Sequence, residues 1–239
     1  MKQICDKHGE YEAPEPITLF DQVLTAMCPL CDDETAKAQQ AAAKAYELRR
    51  LIETANIEPE HENSTLEAFN ADTEELSKAV QSVRRLLSGE VIKLVLTGRN
   101  GTGKTHLAVA AILAKNAGRI MTMYEISARI RASYTSLATR TEFDIVDELA
   151  RLPLLAIDEM GRTKGSDAEM SWLSYILDKR HTRRLPTILI SNKHVRKDCA
   201  DKQGCSNCLE NFMGEDVMSR LSEDSLLVRF NGDDWRRKR

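Results

Sequence analysis

This 239-residue chain predicts an α/β fold, a parallel sheet covered by helices on both faces, preceded by a small N-terminal module and a helix. Three observations carry that expectation. From residue 91 onward, short apolar runs alternate with stretches of helical periodicity, the pattern of strands joined by crossover helices. The apolar run at 91–96 leads directly into Gly98-Arg99-Asn100-Gly101-Thr102-Gly103-Lys104-Thr105, a glycine-rich turn that opens a helical pattern. The apolar run Leu154-Leu155-Ala156-Ile157 ends in Asp158-Glu159, as a buried strand does when it delivers carboxylates to the carboxyl edge of a parallel sheet.

Taken in order, residues 1–32 hold Cys5, His8, Cys28 and Cys31 around Pro14, Pro16 and Pro29. Residues 33–55 turn to Ala, Gln, Lys, Glu and Leu, all strong helix formers. Ala41, Ala45, Leu48, Leu51, Ile52 and Ala55 place an apolar stripe along that helix. Pro59 within Glu58-Pro59-Glu60-His61-Glu62-Asn63 stops it and reads as a linker. Ser64-Thr65-Leu66-Glu67 resembles a capping box, and a helix near 73–87 follows. Strands are expected at 91–97, 120–124, 152–157, 187–191 and 226–230, with helices between them, one of them at 107–113. The resulting division is 1–56 for a zinc-binding, partner-binding module, 57–75 for a linker and 76–239 for the α/β domain.

Composition narrows the function classes. With 42% hydrophobic and 30% charged residues and no apolar stretch of spanning length, the chain is no membrane protein. The N-terminus has no apolar signal region, so a cytoplasmic location is expected. A net charge of −3 excludes binding to nucleic acid by bulk charge, so any such contact needs a local basic surface.

The motif at 98–105 dictates a ligand. Backbone N–H groups of such a turn form a nest for phosphate oxygens, and the helix that follows adds its positive end. Lys104 can reach β- and γ-phosphates, and Thr105 can hold Mg²⁺. The candidate nucleotide-binding set is Gly98, Arg99, Asn100, Gly101, Thr102, Gly103, Lys104, Thr105 and His106. Asp158 supports Mg²⁺ directly or through water, and Glu159 polarises an attacking water as general base. Asn192, after the apolar run 187–191, is placed to touch a γ-phosphate or orient that water; a plain turn residue is the alternative. Arg220, in a short helix at 215–221, suits a finger reaching a neighbour's γ-phosphate; a salt-bridged surface arginine is the alternative.

Gly98–Thr105 with His106-Leu107-Ala108, Ile157-Asp158-Glu159-Met160-Gly161, Ser191-Asn192 and Gly214-Glu215 leading to Arg220-Leu221 together resemble the DnaC/IstB family of AAA+ ATPases, over roughly residues 60 to 239. The closing Val228-Arg229-Phe230-Asn231-Gly232 is similar to the ends of DnaC-type helicase loaders. The resemblance implies that Lys104 and Thr105 are Walker A, Asp158 and Glu159 Walker B, Asn192 sensor 1 and Arg220 the arginine finger. It implies ATP and Mg²⁺ as ligands and subunits assembled into a ring or spiral. Asp216 stands where the family often has arginine, which puts a second arginine contact to nucleotide in doubt. Nine residues after Phe230 cannot build the helical lid common in AAA+ proteins. Slow hydrolysis completed between subunits is therefore expected.

Cys5-x-x-His8 and Cys28-x-x-Cys31 have the spacing of Zn²⁺ ligands, and four protein ligands make a structural site. A module of this size needs a metal to supply folding energy. Cys199, Cys205 and Cys208 lie in what looks like an insertion at 197–208, with His194 nearby; a second zinc loop and a loop of free thiols remain equal readings. Residues 127–140, with Arg129, Arg131, Ser133, Tyr134, Thr135, Ser136 and Arg140, fit single-stranded DNA by charge, hydroxyl and stacking contacts, or else a solvated helix face. The basic runs Lys179–Arg184 and Arg236–Arg239 read as solvated.

The functional expectation is an ATP-dependent loader delivering a hexameric DnaB-type replicative helicase onto single-stranded DNA. An IstB-like transposition helper is the alternative. A small-molecule kinase and a non-hydrolysing zinc adaptor are the rivals from other classes, the first needing an acceptor pocket and the second no Glu159.

Overall fold

The structure is a computed structural model that describes residues 1–15, 17–19, 22–24, 27–162, 165–199, 205–232, 234 and 235. The basic tail at 236–239 lies outside the described residues. The chain divides into two compact units, Met1–Arg50 and Leu51–Arg239.

In the first unit, β1 (Lys2–Cys5) and β2 (Gly9–Glu12) form an antiparallel hairpin, Cys5 opposite Gly9. A second hairpin joins β3 (Ile17–Leu19) and β4 (Gln22–Leu24). Helix α1 (Pro29–Thr54) starts here, with proline in its first turn where no N–H is needed. The helix begins four residues earlier than its composition suggested, which brings Cys31 into its first turn. Its apolar stripe is not buried as a whole: Ala41, Ala45 and Leu48 are exposed, while Leu51 and Ala55 are buried in the second unit.

The second unit is built on α2 (Glu74–Leu87), β5 (Lys93–Gly98), α3 (Lys104–Lys115), β6 (Arg119–Thr122), α4 (Met123–Ala132), α5 (Glu142–Arg151), β7 (Leu155–Met160), α6 (Asp167–Thr182), β8 (Thr187–Ser191), α7 (Leu209–Ser222) and β9 (Ser225–Phe230). The five strands pair in parallel in the order β6-β7-β8-β5-β9. Alternate side chains along each strand face opposite sides of the sheet. Leu94 and Leu96 therefore join one core with Val83, Leu86, Leu107, Ala108 and Ile112 of α2 and α3. Val95, Leu155, Ile157 and Leu189 join the other, with α4, α5, α6 and α7. Burial on both faces is why these strands read as continuous apolar runs.

Several boundaries differ from the sequence reading, each for a local reason. The strand expected at 120–124 stops at Thr122, because Thr122 caps α4 and Glu125 bonds back to it. The strand expected at 152–157 runs instead from Leu155 to Met160, so Asp158 and Glu159 lie within it. Ser64–Glu67 opens no helix; Thr65 Oγ1 accepts only a turn bond from Ala68 N, and the helix cap is Thr73, which accepts from Leu76 N. The stretch read as a linker at 57–75 packs in the first core, with Ile57 and Phe69 buried. The 215–221 helix is the second part of α7, which breaks at Gly214 (φ 72°).

The run Lys179–Arg184 is not uniformly solvated. Arg180 is 1% exposed and donates from Nε to Thr187 Oγ1 (2.8 Å), from one terminal nitrogen to Leu149 O (3.0 Å) and Leu152 O (2.7 Å), and from the other to Pro186 O (2.6 Å). Burial pulls its guanidinium down to about 9.

Candidate functional site

The glycine-rich turn follows β5 and lies at the carboxyl edge of the sheet, where open α/β sheets bind their ligands. Gly98 pairs with Phe230 of β9 at φ 138°, and a Cβ there would lie 2.2 Å from the Phe230 carbonyl oxygen. Gly103, at φ 93°, is the N-cap of α3; a Cβ would lie 2.9 Å from Phe69 Cε2. Only glycine fits both conformation and space at these positions. The Asp234 carboxylate lies against Gly101, and Trp235 N donates to Gly101 O at 3.0 Å.

A cleft of about 200 Å³ opens over the turn. It is lined by Asn100–His106, Asp158, Glu159 and Asn192, together with Glu60 and His61. Lys104 is 5% exposed and its ammonium donates to Gly98 O (2.8 Å) and Arg99 O (2.6 Å). Incoming phosphates would compete with those two carbonyls for the same charge. Thr105 Oγ1 donates to Asp158 Oδ2 at 2.7 Å, so the two oxygen donors read as Mg²⁺ ligands are adjacent across two elements. A hard cation takes such oxygen donors.

The acidic pair sits in a bulge. Ile157 pairs with Leu189 and Met160 with Ser191, so β7 carries one extra residue there, with Glu159 at φ 57°. This turns Asp158 and Glu159 toward the cleft together, which simple alternation would forbid. Burial raises the Asp158 carboxyl, against the Thr105 hydroxyl and Glu159 N–H that favour its charged form. Glu159 forms an ion pair with Arg162, a partner no spacing rule pointed to. His106 bonds Thr65 O through Nε2 (3.1 Å) and meets the Phe69 ring edge at 5.4 Å; burial lowers its pKa.

Asn192, directly after β8, is exposed at the cleft. Arg220 is elsewhere. Lys93, the first residue of β5, donates from Nζ to Arg220 O, and Arg220 Nε pairs with Asp178 Oδ1 at 2.5 Å. Lys93 and the turn are at opposite ends of β5, about 17 Å apart at strand rise. Glu60 and His61 were missed because their segment has no period, and only the packing of Ile57 and Phe69 brings them over the turn.

In the first unit, Cys5, His8, Cys28 and Cys31 converge. Cys5 Sγ lies 3.5 Å from Cys31 Sγ, and His8 Nδ1 lies 3.7, 3.7 and 3.3 Å from Cys5, Cys28 and Cys31. Tetrahedral Zn²⁺ with these ligands gives edges of about 3.5–3.8 Å, so the group fits that ion. His8 Nε2 contacts Glu34 Oε1 at 3.3 Å, the carboxylate support common behind metal-bound imidazoles. Backbone N–H groups of Lys7 and His8 hold the Cys5 thiol down to about 6. All six cysteines are free of disulfides.

In the stretch 127–140, Arg129 and Arg131 are exposed on α4. Ser127 is buried against Glu169 (2.8 Å), Arg140 pairs with Glu148 (2.6 Å) and the Tyr134 hydroxyl donates to Glu142. Among the described residues, no helix is long and apolar enough to cross a membrane.

A family model described as IstB-like ATP binding protein matches residues 30–239. The replicative helicase loader DnaC of Escherichia coli strain K12 is 28% identical over 202 residues, 81% of this chain and 77% of its own length. DnaC of Buchnera aphidicola subsp. Schizaphis graminum is 25% identical over 201 residues, with the same shares. A crystal structure of the DnaC helicase loader matches at TM-score 0.60 and 21% identity, over 73% of this chain and 100% of that one. AMPPCP-bound DnaA from Aquifex aeolicus matches at TM-score 0.58 and 20% identity, over 74% of this chain and 52% of that one. The five-stranded sheet with its flanking helices is thus the AAA+ arrangement.

Proposed function

The chain belongs to the IstB-like ATP-binding protein family, and on that premise we propose that it is an ATP-hydrolysing loader that delivers a hexameric DnaB-type replicative helicase onto single-stranded DNA. The observation that carries the ATP reading is the Thr105–Asp158 bond beside Lys104 in a glycine-lined cleft. In this reading the turn's N–H groups and Lys104 hold the triphosphate, and Thr105 and Asp158 hold Mg²⁺. When bound, Mg²⁺ neutralises phosphate charge. Glu159 orients and deprotonates the attacking water, and Asn192 senses the γ-phosphate from the next strand tip.

Arg220 cannot serve the cleft of its own chain, a strand length away. Its role is to complete a neighbour's site by neutralising transition-state charge. Hydrolysis is therefore slow in a single subunit and coupled to assembly into a ring or spiral. Exposed Arg129 and Arg131 supply charge for a single-stranded backbone. The first unit, closed by Zn²⁺ on Cys5, His8, Cys28 and Cys31, and the exposed stripe of α1 grip the helicase. Loading rather than transposition is favoured by the similarity to proteins named as loaders across 81% of this chain.

The test is co-purification of the full chain with a hexameric replicative helicase and with an IS21-type transposase, with ATP and Mg²⁺. Glu159→Gln should trap the helicase complex, Lys104→Ala should lose ATP binding, and Arg220→Ala should bind ATP but not hydrolyse it in the assembly. Capture of transposase without helicase sinks the loader reading.

A further inference from the structure

The connection between β8 and α7 carries a cluster that the ATP chemistry does not use. We propose that His194, Cys199, Cys205 and Cys208 form a second structural Zn²⁺ site, which clips the tip of β8 to the start of α7. Ligand atoms of His194, Cys199 and Cys208 lie within 4.8 Å of one another. Cys205 Sγ approaches His194 Nε2 to 3.4 Å, the edge length expected between sulfur and nitrogen on one tetrahedral ion. The other ring nitrogen faces Asn207 Nδ2 at 3.4 Å, so Nε2 is the one turned to the thiols.

The backbone shapes this loop as a knuckle. Cys208 N donates to Cys205 O at 3.2 Å, closing the Cys-x-x-Cys turn. His194 and Cys208 are bridged like a short strand pair: His194 N donates to Asn207 O (3.2 Å) and Leu209 N to His194 O (2.9 Å). Lys193 Nζ adds a bond to Ser206 O at 2.7 Å. Cys208 is fully buried, and Cys199 and Cys205 are half-buried. The group of His194, Cys199 and Cys208, with Cys205 Sγ beside the imidazole, supplies the three thiols and one imidazole that a closed, four-ligand structural zinc centre takes.

The position gives the clip a consequence. His194 is two residues past Asn192, and Cys208 is the N-cap of α7, the helix that bears Arg220. One ion would tie the strand end beside the cleft to the helix that carries Arg220. Among its described residues the connection buries Val195 and Cys208 as its apolar side chains, so metal binding would supply its ordering energy.

The experiment is the zinc content of the desalted full chain, measured by mass spectrometry with protein concentration from amino-acid analysis. Two zinc ions per chain are expected. Cys199→Ser with Cys205→Ser should keep one, and Cys5→Ser with Cys31→Ser should keep the other. Cobalt added to the stripped Cys5→Ser, Cys31→Ser chain should give the absorption of a tetrahedral thiolate site, which decides the matter even where the loop variant fails to fold. A chain without Cys5 and Cys31 that holds no zinc and gives no such absorption overturns the proposal. So does a disulfide between Cys199 and Cys205 in protein prepared under reducing conditions. A single zinc in the parent chain that the Cys5→Ser, Cys31→Ser variant retains and the Cys199→Ser, Cys205→Ser variant loses supports this site while refuting the first.

Discussion

Replacing Arg180 by methionine isolates what a single buried cation does for this fold. Methionine fills much of the same volume and removes every donor. The carbonyls of Leu149 and Leu152 then lose their partner in a dry environment, whereas Pro186 O keeps its bond from Leu155 N at 3.3 Å. Leu149 lies in the last turn of α5, where carbonyls have no helical partner and a cation is favoured. The Thr187 hydroxyl keeps its own bond to Leu185 O at 3.2 Å and is not orphaned. Stripping a buried acceptor costs about 1–3 kcal/mol, or about 2–6 kcal/mol for two. Against this stands relief of the several kcal/mol needed to bury a guanidinium. The net expectation is a loss of about 1–3 kcal/mol, which at about 2–4 °C per kcal/mol lowers the midpoint by about 2–12 °C. Lysine should recover little, since one ammonium cannot match the planar fork. The assay is thermal and urea unfolding by circular dichroism, without nucleotide and at fixed protein concentration. A midpoint within about 1 °C of the parent would refute the reasoning, because it would mean that the carbonyls find other partners.

Three further outcomes follow from the cleft. Gly103→Ala combines a left-handed φ with a contact on Phe69, so it should cost about 1–3 kcal/mol in unfolding experiments and weaken ATP binding by calorimetry; unchanged affinity would argue against the cradle. Asp158→Asn should leave the nucleotide-free fold at least as stable at neutral pH. Burial raises the carboxyl, so its ionised form costs stability above the ordinary carboxylate range and that cost disappears as pH falls. The same variant should lose Mg²⁺-dependent nucleotide binding, and marked destabilisation without Mg²⁺ would count against the sign. His106 has its pKa lowered by burial, so the unfolded imidazole takes its proton first, near 6.5. Urea stability should therefore fall as pH drops below that value, and His106→Gln should flatten that limb of the profile.

The phosphate turn was legible because its demands are local. Glycines with the required φ are contiguous in the chain, and the strand before and helix after are read from neighbouring residues. The parallel sheet was legible for a similar reason: strands buried on both faces must be apolar at nearly every position, as 154–157 and 187–190 are. The convergence of Cys5, His8, Cys28 and Cys31 followed from ligand spacing. By contrast, Glu60 and His61 carry no period, and their place over the cleft depends on Ile57 and Phe69 packing against distant strands. The bulge that aims both Asp158 and Glu159 exists only in the register between β7 and β8.

By itself, then, the order of residues determined the strand–turn–helix at 91–115, the apolar strands of the sheet and the residues able to hold phosphate and metal, since these follow from backbone preference and hydrophobic pattern over a few neighbours. Only the tertiary structure decided that Arg180 is a buried clamp rather than a solvated charge, that Ser127 is closed to solvent, and that Arg220 stands a strand length from its own cleft. Those outcomes depend on which carbonyls, carboxylates and strand ends meet across the sheet, and contacts between residues far apart in sequence leave no mark in local composition.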